Sequence, residues 1–589
     1  MQQPKEAKVI RVTDYGARPD SGEDAVSSIR LAIAAAAAVN EPVVIEFPHG
    51  RYDLYPDHAD QALCCISNTT TEEENPDNTK TFGLLLQGLN HLTIEGNGSL
   101  LMFHGKMTLL AVISCSDIEI RNLNTDYAHP TMAEMTVEVV EERTMDVRVH
   151  PDSRYELEKD RLYWIGLGWR FTNGLAQLYD PANNSTWRVT NPVSIAVKVE
   201  ELAPNRLRFH FDRRQGASVG QTFQMRDGIR DQVGAFIARS SNVIFKQVSM
   251  HYMHGLGIVG QFSENLVFDQ MTLAPRPDSG RTAAAFADFL HLSGCRGRIT
   301  IQDSLFEGAH DDPINVHGTH LRIVGKPAPA QLVVRFMHGQ TFGFEAFFPG
   351  DEIEFVREST LLAYDSNTVK EARLLNPREM LLTLERPAPE HIETNDVVEN
   401  VTWTPEVEIR GNRFARIPTR GILVTTRRKV TIENNVFERM RMSGILIAND
   451  AGSWFESGRA QDVTIRGNTF LQCGSAADPV IWIHPENTDT SHETPVHEHI
   501  VIEDNTFETI GNRAMDAKST RHVRFSRNRI VALEQDHTLS FVRLHACSNA
   551  EIGGNRFEGN DSMQCVELHG MPREEVSLIE SPSVELLVV

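Results

Sequence analysis

The sequence predicts an all-β protein built as a right-handed parallel β-helix, a solenoid in which each coil stacks on the one before it. Three observations predict this fold: a repeated strand-and-asparagine unit, a helical segment suited to capping the first coil, and the length of the chain. At 589 residues the chain is too long for one compact core, so several domains or one elongated repeat are expected. The content of hydrophobic residues, 41%, is ample for a folded protein.

The repeat has the form apolar-x-apolar-x-x-Asn-x-apolar. Its units start at residues 407, 430, 463, 500, 523 and 550, and looser copies start at 92, 118, 243, 266 and 299. The separations between the later starts run from 23 to 37 residues, which fits coils of about 23 residues that vary by loop insertions. Alternating apolar residues indicate short strands with one buried face. We expect the asparagine to occupy the bend, where it tolerates left-handed geometry and bonds its own backbone.

The segments around the repeat complete the predicted architecture. Residues 1–130 contain the N-terminal cap and the first coils, and the alanine-rich "LAIAAAAAVN" within them predicts an amphipathic capping helix. Two gaps in the repeat, at 131–235 and 320–403, contain alternating strand patterns that predict small all-β insertions. The remaining coils occupy 236–319 between the insertions and 404–589 at the C-terminus.

The composition argues against several classes of partner and site. A formal charge of −23 disfavours nucleic acids and anionic membranes, because both require a basic surface. No apolar run is long enough for a transmembrane helix. The seven cysteines have no C-x-x-C spacing, so neither a zinc site nor a disulfide framework is expected. The first residues, "MQQPKEAKVI", do not form a signal peptide; the protein is either cytoplasmic, or secreted or periplasmic with its leader removed.

Aligning the second strand of each coil brings two carboxylates together. The strands "HGLGI", "DFLHL", "DPINV", "RGILV" and "SGILI" align so that their apolar residues stack inward. The position two residues before the first apolar residue is then His254, Asp288, Asp312, Arg420 and Ser443 on successive coils. Because neighbouring parallel strands lie about 4.8 Å apart, Asp288 and Asp312 are expected to be neighbours on one rung.

A third carboxylate, Asp311, immediately precedes Asp312 in "AHDDPINVHG", where Pro313 holds Asp312 extended at the start of its strand. Like charges so close together raise the pKa of at least one carboxyl group, and a protonated acid beside ionised ones is what glycoside hydrolysis requires. The same residues could instead form a calcium site, or a structural ladder paired with Arg420. These alternatives stay open on the sequence alone.

Candidate substrate-binding residues surround the three aspartates. They are His254, His291, Asn315, His317, Glu345 and Arg420. Glu345, in "HGQTFGFEAFF", would have to reach the site from the second insertion, and an exposed strand glutamate would show the same pattern. An aromatic platform is also expected at a sugar site, whereas Trp454 and Trp482 lie on later coils and are predicted to pack in the core.

The chain resembles glycoside hydrolase family 110, the bacterial α-1,3-galactosidases that remove terminal α-galactose from blood-group-B-like glycans. The resemblance covers nearly the whole sequence and is most specific in "LHLSGCRGRITIQDSLFEGAHDDPINVHGTH". It implies an exo-acting, inverting hydrolase that is secreted or periplasmic and needs no metal or other cofactor. It further implies Asp311 as the general acid, with Asp288 and Asp312 holding and deprotonating the water. The implied partners are a glycan with terminal α-galactose and a second subunit in a homodimer.

Two other functions fit parts of the pattern. The aspartate layout is similar to that of the polygalacturonases, inverting hydrolases of uronic-acid polymers. The matching stretches "FADFLH" and "AHDDPINVHG", however, lack the N-T-D, G-D-D and G-H-G signatures of those enzymes, and Arg420 is the only cation in the aligned track. A non-catalytic carbohydrate-binding β-helix is the second alternative, although it would not need the aspartate pair opposite Asp288. A separation near 5 Å between two carboxyl groups on one rung suits a retaining enzyme, whereas a diagonal pair of carboxyl groups could span a water as in an inverting one. The spacing does not choose between them, so inversion is implied by the resemblance alone. Whether branched or linear galactosides are preferred is not decided by the sequence.

Overall fold

A computed structural model describes residues 7–533, 539–559 and 564–589, and it confirms the predicted parallel β-helix. Each complete coil contributes up to three short strands. Two of them join a 23-stranded sheet, and the third joins a second sheet on the other side of the solenoid. The capping helix Val26–Ala37 buries one face at the N-terminal end. No helix in these described residues is long and apolar enough to cross a membrane.

The strands of the 23-stranded sheet are Lys8–Arg11, Val43–Glu46, Arg51–Leu54, Asn90–Phe103, Ser116–Tyr127, Ser241–Met250, Glu264–Asp269, Thr272–Leu273, Arg296–Gln302, Leu305–Glu307, Glu406–Arg410, Arg413–Ala415, Lys429–Glu433, Val436–Glu438, Asp462–Arg466, Thr469–Leu471, His497–Glu503, Thr506–Thr509, Thr520–Ser526, Arg529–Ala532, Ala550–Gly553, Arg556–Glu558 and Val576–Ile579. The solenoid strands of the second sheet are Asp60–Leu63, Thr79–Gln87, Thr108–Ile113, Val233–Ala238, Leu256–Gln261, Leu290–Ser293, Ile314–Ala328, Ile422–Val424, Ile445–Ile447, Glu456–Ser457, Ile481–Ile483, Met515–Lys518, Val542–His545, Cys565–His569 and Glu585–Val588.

The asparagine of the repeat forms a ladder inside the solenoid. Its members are Asn412, Asn435, Asn468, Asn505, Asn528 and Asn555. Asn468 Nδ2 donates to the carbonyl oxygen of Ile432 (2.9 Å) and to Asn505 Oδ1 (3.0 Å). Asn468 Oδ1 accepts from the backbone N–H and the side-chain amide of Asn435, both at 3.0 Å. The left-handed backbone belongs to the preceding residue, such as Gly467 with φ 65°. The prediction that the asparagine bonds its own backbone is therefore wrong, because it bonds the neighbouring coils.

We expect the substitution Asn468→Ala to destabilise the protein by roughly 3 kcal/mol, because it leaves buried polar groups of two coils without partners. The measurement is the thermal and denaturant midpoint of the variant. The matched control is Asn40→Ala at an exposed position, which should change neither midpoint. An unchanged midpoint for Asn468→Ala would show that the ladder contributes little to stability.

A stack of phenylalanine rings runs beside the asparagine ladder. Its rings belong to Phe306, Phe414, Phe437, Phe470 and Phe507, with centroids 4.8 to 5.0 Å apart. This separation matches the strand spacing of a sheet, so one ring per coil fills the core without gaps. The solenoid core thus repeats the same contacts from coil to coil and holds the strands in register.

Two β-rich segments interrupt the coils. In the first insertion, predicted at 131–235, a seven-stranded antiparallel sheet and a three-stranded sheet enclose their own hydrophobic core. Its elements are Ala133–Val140, Thr144–Val149, Arg154–Glu158, Arg161–Gly166, Trp169–Phe171, Leu175–Asp180, Ser185–Val189, the short helix Pro192–Ile195, Lys198–Ala203, Arg206–His210 and Thr222–Arg226.

In the second insertion, predicted at 320–403, the strands are Gln331–Arg335, Glu352–Val356, Ala363–Asn376, Glu379–Leu384 and Val397–Asn400. The solenoid strand Ile314–Ala328 continues into this insertion and pairs there with two of its strands. The strand that follows Asp312 is therefore shared between the solenoid and the second insertion.

Candidate active site

Strand pairing in the second sheet places Asp288 beside Asp312. Leu290 lies opposite Ile314 in a parallel pair, which confirms the predicted register for these two coils. The backbone N–H of Phe289 donates to the carbonyl oxygen of Asp312 at 3.1 Å. The two aspartates therefore occupy equivalent positions on adjacent coils.

Asp312 is bound by Arg420 from the next coil. The Arg420 side chain donates from Nη2 to Asp312 Oδ2 (2.7 Å) and from Nε to Oδ1 (3.1 Å), and its backbone N–H donates to Oδ1 at 3.0 Å. Burial would lower the pKa of Arg420, but the adjacent carboxylates outweigh it and raise that pKa. Burial raises the pKa of Asp312 to about 6, and the guanidinium group opposes this rise. Arg420 therefore occupies both oxygens of the Asp312 carboxyl group with hydrogen bonds.

Asp311 is the most accessible of the three carboxylates, with 17% of its side chain exposed. Arg188 and Arg230 place Nη2 atoms 3.5 and 3.4 Å from its two oxygens. Both arginines belong to the segment of the first insertion, since Arg188 lies in the strand Ser185–Val189 and Arg230 follows its last strand. The first insertion thus supplies the cations that face Asp311.

Asp288 is buried and bonded to His291, which in turn contacts His317. His291 Nδ1 lies 2.9 Å from Asp288 Oδ2, and His291 Nε2 lies 3.1 Å from Nε2 of His317. Burial and the nearby carboxylate of Asp311 raise the pKa of Asp288 to about 7. Burial and the neighbouring His317 lower the pKa of His291 to about 3, so His291 is neutral. His317 lies behind His291 rather than on the pocket surface.

A pocket opens above the three aspartates. Its lining residues are Asn68, Arg230, Asp288, His291, Asp311, Asp312, Asn315, Arg420, Leu423, Trp454 and Glu456. Asn315 Nδ2 donates to Glu456 Oε1 at 3.2 Å, which brings a fourth carboxylate to the pocket. Among all described residues, no group of three or more His, Cys, Asp or Glu side chains is arranged to hold a metal ion. The pocket therefore combines acidic groups, two arginines, amides and one indole ring.

Trp454 lies at the mouth of this pocket with 46% of its surface exposed. Its ring lies 4.4 Å from the ring of His338, a residue of the second insertion. The prediction that Trp454 packs in the core is wrong, because it sits in a loop outside the stacked strands. That loop is held by Asp450, whose carboxylate accepts the backbone N–H groups of Ser453 and Glu456.

His254 does not line the pocket, and its predicted register is wrong by two residues. Leu290 lies opposite Ile258, not Leu256. His254 is fully buried, packs its ring against Phe286 and lies 2.6 Å from a carboxylate oxygen of Asp231. A slip of two residues keeps every side chain on the same face of a strand, so the alternation of apolar residues could not reveal it.

Glu345 also lies apart from the aspartates. Its side chain is half exposed and lies 4.0 Å from the side chain of Arg239. Arg239 follows the strand Val233–Ala238, which lies two coils before the coil that carries Asp288. It lines a separate cavity with Cys64 and Cys65. The suggestion that Glu345 reaches the aspartates is therefore not supported by its position, and its contacts are those of a partly exposed surface glutamate.

Three residues of the first insertion form hydrogen bonds with His310, the residue that precedes Asp311. Gln177 Nε2 donates to the backbone carbonyl oxygen of His310 at 2.9 Å. The His310 ring accepts at Nδ1 from Arg226 Nε (3.2 Å), and its Nε2 lies 2.9 Å from Gln224 Oε1. Burial, followed by the charge of Arg226, lowers the pKa of His310 well below its ordinary value. A neutral, fully bonded His310 thus fixes the backbone that carries Asp311.

Five pocket or contact residues were missed by sequence reasoning. They are Asn68, Arg188, Arg230, Glu456 and, as a pocket residue, Trp454. None of them belongs to the repeat unit from which the alignment was built, and loops and insertions carry no periodic signal that could place them. Acidic or basic residues at such positions are expected on any solvent-facing loop.

Family models match three segments of the chain. Residues 133–223 match a model described as GLAA-B beta-barrel domain I, and residues 331–398 match GLAA-B beta-barrel domain II. Residues 397–571 match a right-handed beta helix region. The matched segments correspond to the two insertions and the C-terminal coils.

The chain is similar over nearly its whole length to several named proteins. It is 46% identical to alpha-1,3-galactosidase A of Bacteroides thetaiotaomicron, over 92% of this chain and 95% of that protein. It is 43% identical to alpha-1,3-galactosidase A of Bacteroides fragilis, over 96% and 95% of the two chains. It is 31% identical to alpha-1,3-galactosidase B of Bacteroides thetaiotaomicron, over 98% and 96%.

Proposed function

The chain belongs to the α-1,3-galactosidases of glycoside hydrolase family 110, and from this premise we propose that it releases terminal α-1,3-linked galactose from glycans by an inverting acid/base mechanism. The observation that carries the mechanism is the convergence of Asp288, Asp311 and Asp312 in one pocket. Two of these carboxyl groups, Asp288 and Asp312, have a pKa raised toward neutrality by burial. Paired carboxyl groups with different environments are what glycoside hydrolysis uses as acid and base.

Asp311 is assigned as the general acid. It is the most exposed of the three aspartates, and an exo-acting enzyme directs the leaving group toward the open side of its pocket. Arg188 and Arg230 hold its carboxyl group in place. As the bond between the anomeric carbon and the glycosidic oxygen breaks, that oxygen takes the bonding electron pair and the proton of Asp311.

Asp288 and Asp312 are assigned to the attacking water. Both oxygens of Asp312 are bonded to Arg420, so Asp312 serves best to orient the water. Asp288 takes the proton, because a carboxylate whose pKa is raised to about 7 is a stronger base than an exposed one. The water oxygen forms its bond to the anomeric carbon on the face opposite the departing oxygen, which inverts the configuration.

The pocket favours a neutral sugar over a uronic acid. Its arginines are already engaged: Arg230 faces Asp311, and Arg420 is bonded to Asp312. A uronate carboxylate would therefore meet the aspartates and Glu456 without a free cation among the residues that line the pocket. The exposed ring of Trp454 instead offers an apolar platform for a face of galactose.

A hydrolysis panel tests this function. The substrates are linear Gal-α-1,3-Gal, the fucose-branched group B trisaccharide and polygalacturonate, with sugar release followed by chromatography. We expect galactose from at least one of the first two substrates and no product from the third. Release of galacturonate would support a uronan hydrolase. If no substrate is cleaved but a glycan binds, the protein is a carbohydrate-binding β-helix instead.

A further inference from the structure

Asp288, His291 and His317 form a hydrogen-bonded series, and the hydrogens on their side chains can be assigned from their contacts. His317 Nδ1 lies 2.6 Å from the carbonyl oxygen of Gly318, which can only accept, so this nitrogen carries a hydrogen. His317 Nε2 and His291 Nε2 lie 3.1 Å apart, and His291 Nδ1 lies 2.9 Å from Asp288 Oδ2. The three side chains are each more than nine-tenths buried, and His317 does not line the pocket, so the series makes its contacts inside the protein.

The two inner contacts of this series need two hydrogens. The neutral His291 ring brings one of them, and the other must come from Asp288 or from His317. If Asp288 holds it, the Asp288 hydroxyl donates to His291 Nδ1, and His291 Nε2–H donates to His317 Nε2. If His317 holds it, the His317 imidazolium donates from Nε2 to His291 Nε2, and His291 Nδ1–H donates to the Asp288 carboxylate. The two arrangements contain the same atoms and the same total charge.

We propose that His291 and His317 form a proton relay that moves this hydrogen away from Asp288 and so makes the Asp288 carboxylate available as the base. This inference rests on the proposed function, in which Asp288 deprotonates the water. Each transfer breaks one bond to hydrogen and forms another: O–H to Nδ1 at one end, and Nε2–H to Nε2 between the rings. His291 stays neutral throughout, and His317 lies behind it, away from the pocket surface.

The surroundings of His317 allow it to hold the proton. Glu456 Oε1 lies 3.4 Å from His317 Nε2, so its negative charge lies beside the ring that receives the proton. The other charged or titratable groups that act on the series from the packed elements are Arg230, Asp311, Arg420 and His338. Asp311 and Glu456 raise the pKa of both Asp288 and His291, and Arg230 lowers it, so groups of both signs act on the series.

The relay fits one turnover without an added reactant. In the charge-separated arrangement His291 Nδ1–H occupies Asp288 Oδ2, and Asp288 Oδ1 takes the proton of the attacking water. The glycosidic oxygen takes the proton of Asp311. After the product leaves, one proton is lost from the series and one is gained by Asp311, so the enzyme returns to its starting charge.

The substitution His317→Gln tests the relay by a pH profile. The introduced amide oxygen reaches the position of the ring Nε2 and can still accept from His291 Nε2–H, but the amide cannot take up the proton, so Asp288 keeps it. We expect the acid limb of kcat/KM to move upward by about one pH unit or more, with activity at about pH 9 within roughly threefold of the unchanged protein. The matched control is His497→Gln, at another fully buried histidine in the C-terminal coils, which should leave the profile unshifted. A uniform loss of activity at every pH for His317→Gln would overturn the proposal.

A second measurement does not depend on activity. Nitrogen-15 NMR of histidine-labelled protein reports which ring nitrogens carry hydrogen, and Asp288→Asn provides the reference because its amide has no acidic hydrogen that could pass to the histidines. We expect the His317 signals of the unchanged protein to be shifted from that reference toward the imidazolium, and its His291 signals to be those of a neutral ring with hydrogen on Nδ1. Identical signals in the two proteins would overturn the relay. If the signals differ but no galactoside is cleaved, the proposed function fails while the relay stands.

Discussion

Replacing Asp311 by asparagine should lower kcat on Gal-α-1,3-Gal by about 10³-fold, because the glycosidic oxygen then departs without a proton donor. The introduced amide has nearly the same shape, and its single oxygen can still accept from Arg230, while the exposed Arg188 can turn to solvent, so the fold should be unaffected. Thermal unfolding checks the fold, and initial rates check the activity.

The choice of leaving group separates the acid from the base. With 2,4-dinitrophenyl α-galactoside, whose phenolate leaves without protonation, Asp311→Asn should lose only about tenfold or less in rate. The matched variant Asp288→Asn should lose activity on both substrates, because the water still has to be deprotonated. Retention of most of the rate by Asp311→Asn on the disaccharide would refute the assignment of Asp311 as the acid.

Asp288→Asn should also make the protein more stable at alkaline pH, at the same time as it abolishes activity. Burial raises the pKa of Asp288 in the folded protein to about 7, above the ordinary value of 3.8 for an aspartate. The folded state therefore binds this proton more tightly than the unfolded chain does. The resulting stabilisation is fully present below pH 3.8 and is lost as the pH rises through about 7. Asparagine resembles the protonated acid and cannot ionise, so it avoids this loss.

The measurement is the thermal midpoint of Asp288→Asn and of the unchanged protein across the pH range. We expect a rise of about 2 °C at about pH 8 and less than half of that rise at about pH 5, where part of the stabilisation is already lost. Rates on Gal-α-1,3-Gal should fall by about 10³-fold at both values. A lower midpoint for the variant at pH 8 would contradict the raised pKa of the buried Asp288 carboxyl group.

The fold could be predicted because the solenoid repeats one local pattern. Alternating apolar residues recur throughout the solenoid, and the ladder asparagine and the stacked phenylalanine recur on successive later coils, so each copy reinforces the others. The prediction that the asparagine forms hydrogen bonds with its own backbone was wrong. Asn468 binds coils on both sides, and such contacts between coils are not encoded in the spacing within one unit.

The rung of Asp288 and Asp312 could be predicted because strand pairing fixes it directly. His254 could not be placed, since a shift of two residues preserves the inward and outward alternation of a strand. Trp454 comes from a loop that is folded around Asp450, Glu456 comes from the two-residue strand that follows this loop, and Arg188 comes from the first insertion. Their positions depend on tertiary contacts between segments far apart in the chain.

The central claim is that this pocket hydrolyses α-1,3-galactosides with inversion, and proton NMR of the first turnovers tests it most directly. Enzyme and Gal-α-1,3-Gal are mixed at high enzyme concentration, and the anomeric signals of free galactose are followed before mutarotation. The account predicts that β-galactose appears first and that α-galactose grows in later by mutarotation. Initial release of α-galactose would contradict inversion, and the absence of any galactose would contradict the assigned activity.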